Sequence, residues 1–182
     1  MKSIALILQS FLFVSFSPCF SQVLWDEESQ SAKMEGIIIA KDVSLKDLHE
    51  RSRVWMATNI TSSNEQTTSD QDSIIQLIGF GNVILSGGFN SRNRKLDFSI
   101  VLHIKDGRLK YVIHKLILID YSATFTSSEG EPTYQDLNAL YEKRFRKRQE
   151  KKDIQLLIDE KLSSLVKTLT NAVNNKNISE DW

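Results

Sequence analysis

Residues 96–120 read LDFSIVLHIKDGRLKYVIHKLILID, and this stretch decides the fold. Leu96, Phe98, Ile100, Leu102 and Ile104 alternate with Asp97, Ser99, Val101, His103 and Lys105, the two-residue period of a half-buried strand. Asp106-Gly107 then supplies a two-residue turn, and a type I′ hairpin needs positive backbone dihedrals at both positions. The return strand, Arg108 to Asp120, places Leu109, Tyr111 and Ile113 opposite the apolar set. If Lys105 faces Arg108, then His103 faces Lys110 and His114 faces Ser99. The stretch predicts a hairpin with one face in a core. Val101, Val112, Leu116 and Leu118 fall on the opposite face.

Upstream, Glu35 to Ala40 is short and β-branched, a strand. Ser44 offers an N-cap with Asp47 as an acid at the third helical position. Leu45, Leu48, Ser52, Trp55 and Met56 recur at three- and four-residue steps, so 44–60 is an amphipathic helix anchored by Trp55. Lys46, Glu50 and Arg53 lie on its solvent face. The polar residues 61–73 read as a loop. Ile74 to Ile78 and Val83 to Leu85 flank Gly79-Phe80-Gly81-Asn82, which reads as a hairpin turn.

Downstream of a loop through Gly130-Glu131-Pro132, Tyr134, Leu137, Tyr141 and Phe145 mark a helix. Ile154, Leu157, Ile158, Leu162, Leu165, Val166, Leu169 and Val173 continue it, or form a second helix, as one broad apolar stripe for the sheet or for a partner. The order β-α-β-β-β-β-α predicts an α+β domain over 35–174. It has an antiparallel sheet of the helix-grip type, with helices on one face. Residues 22–34 read as a flexible lead-in with Trp25 docking, and 175–182 as a polar tail.

The N-terminus departs from this globular pattern. Lys2 is followed by apolar runs from Ile4 to Leu8 and Phe11 to Phe16, then by small residues at Cys19 and Ser21 before Gln22. Residues 1–21 therefore read as a secretory leader, too short in its apolar run for the ~20 residues of a span. The expected destination is the periplasm or the extracellular space. Cys19 is the sole cysteine, and Phe16-Ser17-Pro18 before it does not match a lipobox, so lipid anchoring is not expected. In a chain of 182 residues with a net charge of +0, no global field favours nucleic acid. No later segment reads as a membrane span.

Catalysis would need a nucleophile with a base, a carboxylate pair or a metal cluster. His103 and His114 share a sheet face but stand four residues apart, about 13 Å at roughly 3.4 Å per residue, too far to share a metal. No HExxH, Gly-x-Ser-x-Gly or phosphate loop occurs. No catalytic residue, metal or cofactor is assigned; a hydrolase using His103 or His114 with Asp97 is the weakest of the functional readings. The cations Lys143, Arg144, Arg146, Lys147, Arg148, Lys151 and Lys152 could grip an anionic surface. The favoured reading is a solvated helix face, in which Glu142, Glu150 and Asp153 dampen the charge.

Segments of the chain resemble DUF4468 domains with a TBP-like fold, exported proteins of unknown function common in Bacteroidetes. The resemblance is carried by Leu45-Lys46-Asp47-Leu48 through Val54-Trp55, by Ile75-Gln76 and Gly81 through Gly87, and by Lys105-Asp106-Gly107-Arg108 with Tyr111. It covers residues 35–120, leaving 133–174 as a C-terminal helical part. His49 and Gly79-Phe80 depart from the pattern. The resemblance implies a fold and no catalytic residues, and kinship with a DNA-bending fold implies nothing about DNA.

The function expected is a non-enzymatic binding or accessory domain of the cell envelope, taking an envelope protein, glycan or lipid. Its candidate contacts are Phe80, Phe89, Val101, Val112, Leu116 and Leu118. A second layer, such as the C-terminal helix, would explain the outward apolar residues without a ligand. The alternative is a structural module that self-associates through that helix.

Overall fold

The computed structural model describes residues 22–68, 74–86, 94–120, 133–137 and 149–175. Its strands are β1 (Leu24–Asp26), β2 (Ser31–Ile39), β3 (Ser62–Thr68), β4 (Ile74–Leu85), β5 (Arg94–Lys105), β6 (Arg108–Asp120) and β7 (Thr133–Asp136). The helices are α1 (Leu45–Asn59) and α2 (Gln149–Asn174). Sheet order is β1-β2-β6-β5-β4-β3, with β7 also paired to β6, and every pairing is antiparallel.

The β5–β6 hairpin forms as its alternation dictates. Lys105 pairs with Arg108, His103 with Lys110 and Ser99 with His114. The turn differs in one detail: only Gly107 takes a positive dihedral (φ 67), so it is not the type I′ form. Gly107 also accepts a hydrogen bond from the Ala40 N–H at 2.9 Å, tying the end of β2 to the turn.

The alternation of β6 breaks at Lys115, whose φ of 52 lies in the left-handed region. Here the register with β5 shifts between Asp97 and Ser99, the signature of a β-bulge. Beyond it the period resumes with opposite phase. Leu116 and Leu118, expected on the outer face, are buried in the core.

Further expectations change. Gly79 to Asn82 form no turn, because they run inside the continuous strand β4. The partner of β4 on that side is β3, built from residues expected as a loop. A Cβ on Gly79 would lie 2.5 Å from Met56 Cε and 2.8 Å from Ile60 Cγ2, so this glycine lets the end of α1 approach the sheet. The lead-in is not loose: β1 pairs with β2, Val23 is buried, and its N–H donates to Asp159 Oδ1 at 3.0 Å. Trp25, the residue expected to dock, is half-buried. The helix expected from Tyr134 begins instead as strand β7, and Leu137 is fully buried beside Leu116.

Both helices lie on one face. Ser44 caps α1, accepting from Asp47 N at 3.2 Å, and Leu48, Trp55 and Met56 enter the core. The stripe of α2 buries Ile158, Leu162, Leu169 and Val173 within the same chain, against α1 and β4. Trp55 Nε1 donates to Thr168 Oγ1 at 3.0 Å, and Arg51 Nη1 to the Val173 carbonyl at 2.9 Å. The buried Arg51 thus places a cation at the C-terminal end of α2, whose last turn has no basic residue of its own. No helix among the described residues is long and apolar enough to cross a membrane.

Candidate functional site

Since α1 and α2 occupy one face of the sheet, the residues of opposite phase form a second face that no described element covers. Its middle is apolar. Ile78 of β4 lies beside Val101 of β5, which lies beside Val112 of β6, and all three are half-buried. The next row holds Phe80, Ser99 and His114. Phe80 is 52% exposed, and Ile37, Ile84 and Ile117 on the same face are 62%, 54% and 40% exposed. A depression of about 360 Å³ lies among Phe80, Asn82, Lys95, Asp97, Ser99, Lys115 and Ile117.

Charges rim this surface in pairs. Lys95 Nζ lies 3.0 Å from Asp97 Oδ1, and Glu35 bridges Lys110 (3.2 Å) and Lys33 (3.6 Å). Both strand histidines are half-buried here. Burial, seconded by Lys110, holds His103 below its ordinary value. Burial, seconded by Lys115, does the same for His114. Both imidazoles are therefore biased towards the neutral form. Among the described residues no three histidine, cysteine or acidic side chains converge as a metal site.

Of the contacts read from the sequence, Phe80, Val101 and Val112 are brought together on this face. Leu116 and Leu118 are not, having been turned into the core by the bulge at Lys115. Phe89, Lys143, Arg144, Arg146, Lys147 and Arg148 lie outside the described residues. Lys151 and Lys152 fall in the first turn of α2, where Lys152 is exposed. Sequence reasoning missed Ile37, Ile78, Ile84 and Ile117. The signal for two of them was present: Ile75, Leu77, Gly79, Gly81, Val83 and Leu85 are one unbroken core alternation, which leaves Ile78, Phe80 and Ile84 outward.

The sheet order and one-sided helices define an α+β domain of the TBP-like kind. The chain is similar to the crystal structure of a TBP-like protein from Parabacteroides distasonis, with TM-score 0.60 and 8% identity, covering 83% of this chain and 97% of that one. It is also similar to the crystal structure of a DUF4468 family protein from Bacteroides ovatus, with TM-score 0.51 and 12% identity, covering 84% and 92%. The resemblance drawn from residues 35–120 is therefore met at the level of the fold, over most of the chain. No family model and no curated protein sequence matches it.

Proposed function

We propose that this chain is an exported, non-enzymatic binding or accessory domain of the cell envelope, and that the helix-free face of its sheet is the contact surface. One observation carries the reading. Phe80 stands 52% exposed beside the Ile78–Val101–Val112 row, with Ile37, Ile84 and Ile117 also exposed on the same face. Clustered apolar surface of this kind is a mark of interaction sites, whereas scattered exposed residues need no explanation. Export rests on the leader pattern of residues 1–21. Self-association through α2 is less well supported, because its apolar stripe is largely consumed within the chain.

The test is native mass spectrometry of residues 22–182, isolated gently from the organism's own envelope. The wild-type chain is expected to carry a reproducible extra mass. The Phe80→Asp/Val101→Asp double variant, with circular dichroism unchanged, should emerge without it. Equal retention by both would overturn the assignment of the face.

A further inference from the structure

We infer that the depression between Phe80 and Ile117 on the helix-free face binds a sugar ring of a glycan, stacked on Phe80 and hydrogen-bonded by Asn82 and Asp97. The inference rests on the reading of that face as a contact surface and names the class of its ligand. The bulge makes the site. Asp97 pairs with Ile117 and Ser99 with His114, so Lys115 and Leu116 together stand opposite Phe98. The left-handed backbone at Lys115 sends Leu116 into the core and leaves Lys115 exposed at the rim. A lysine held at a φ of 52 carries backbone strain, and strain of this kind clusters at ligand sites. The hollow of about 360 Å³ that results falls in the lower part of the range of small-molecule sites, roughly 300–1,000 Å³.

At its middle stands the cross-strand pair Asn82–Asp97, with Cβ atoms about 4.5–5.5 Å apart. Both side chains are held in place. Asn82 Nδ2 donates to Thr61 Oγ1 at 3.1 Å, which fixes the amide and leaves its carbonyl oxygen as an acceptor. Asp97 Oδ1 is ion-paired with Lys95 Nζ at 3.0 Å, which leaves Oδ2 as a second acceptor. The hydroxyl of Ser99, a residue only 4% exposed, and the ammonium of Lys115 border the same hollow. Lys95 and Asp97 cancel one another, so the centre offers directed hydrogen bonds and no field for an ion. Two fixed acceptors on neighbouring strands, with donors beside them, match adjacent hydroxyls that each donate one bond and accept another.

The walls supply the other half of the recognition. Phe80, 52% exposed, stands one row from Asn82 on the same strand, and Ile117, 40% exposed, lies across from Asp97. A pyranose has an apolar face of C–H groups and a polar edge of hydroxyls. Its face packs on the Phe80 ring while its edge reaches the acceptors. An acyl chain would cover Phe80 and Ile117 but strip water from Asn82, Asp97 and Ser99 without replacing those hydrogen bonds. A small polar solute would use the centre and leave the aromatic ring wet. Only a ligand with both surfaces satisfies the whole site.

The experiment titrates the ¹⁵N-labelled chain with cellotetraose, maltotetraose, chitotetraose and mannotetraose, and with decanol as the apolar control, following amide shifts by NMR. At least one oligosaccharide is expected to shift the amides of Phe80, Asn82, Asp97 and Lys115 together, while decanol leaves them in place. Phe80→Ala and Asn82→Ala change exposed side chains, so both keep the fold, and each should weaken that binding by about tenfold or more. Phe80→Trp keeps an aromatic platform and should retain it. No shift with any of the four oligosaccharides, an equal response to decanol, or unchanged affinity in the Asn82→Ala chain overturns the site. If the oligosaccharides fail while Phe80→Asp/Val101→Asp still strips the envelope-derived mass, the sugar site falls and the contact face stands. If an oligosaccharide binds as expected but that double variant keeps its mass, the contact face falls instead.

Discussion

Asp159 shows how one side chain ties the N-terminal segment to the last helix. Its Oδ1 accepts from Val23 N at 3.0 Å, which favours the carboxylate, but burial outweighs that bond and raises its pKa above the ordinary 3.8. A folded-state value above the unfolded one means that the native state holds its proton longer, so stability falls as pH rises through the window above 3.8. Asparagine keeps the acceptor oxygen and removes the charge. Asp159→Asn should therefore raise the melting temperature at pH 7, with the gain disappearing as the pH falls below 3.8; differential scanning calorimetry across that range checks it. Asp26 behaves oppositely, because the Ser29 hydroxyl, followed by Lys33, brings it to about 2. At this scale the sequence was legible where a register could be counted. His103 and His114 took their predicted partners because a two-residue turn sets both positions. The Val23–Asp159 bond spans 136 residues and has no local signature.

Elements were legible where burial follows a simple period, and were lost where that period breaks or has nothing to bury. Helix α1 announced itself through Ser44, Asp47 and Trp55. Strand β3 did not, because polar residues at the sheet rim are held by main-chain pairing to β4 and need no apolar face. The glycines of β4 imitated a turn, although their role is to make room for Met56, Ile60 and Phe98 beneath α1. The bulge at Lys115 was invisible for another reason: lysine is not a residue expected at a positive φ. It nonetheless decides which face Leu116 and Leu118 occupy. Lys115→Val places a β-branched residue in the left-handed region and should lower stability by about 1–2 kcal/mol in urea unfolding. Lys115→Gly should lose nothing or gain slightly, since glycine adopts that conformation freely.

The whole molecule is a sheet with two unlike faces. One is sealed by α1 and α2, which share Trp55–Thr168 and Arg51–Val173 contacts. The other carries Phe80, an apolar row and a polar hollow under no described element. The one-sided layering was readable from element order, whereas the extent of the open face was not. It depended on β4 being continuous and on α2 joining α1 instead of covering the second face. That asymmetry makes the central claim directly measurable by hydroxyl-radical footprinting of the protein in its own cell envelope and after purification. Phe80, Ile37, Ile84 and Ile117 should be protected in the envelope and reactive when pure. Leu156 of α2 and Val54 of α1, 67% and 42% exposed, should react equally in both. Protection of Leu156 and Val54 with Phe80 left reactive would contradict the account and move the contact surface to the helices.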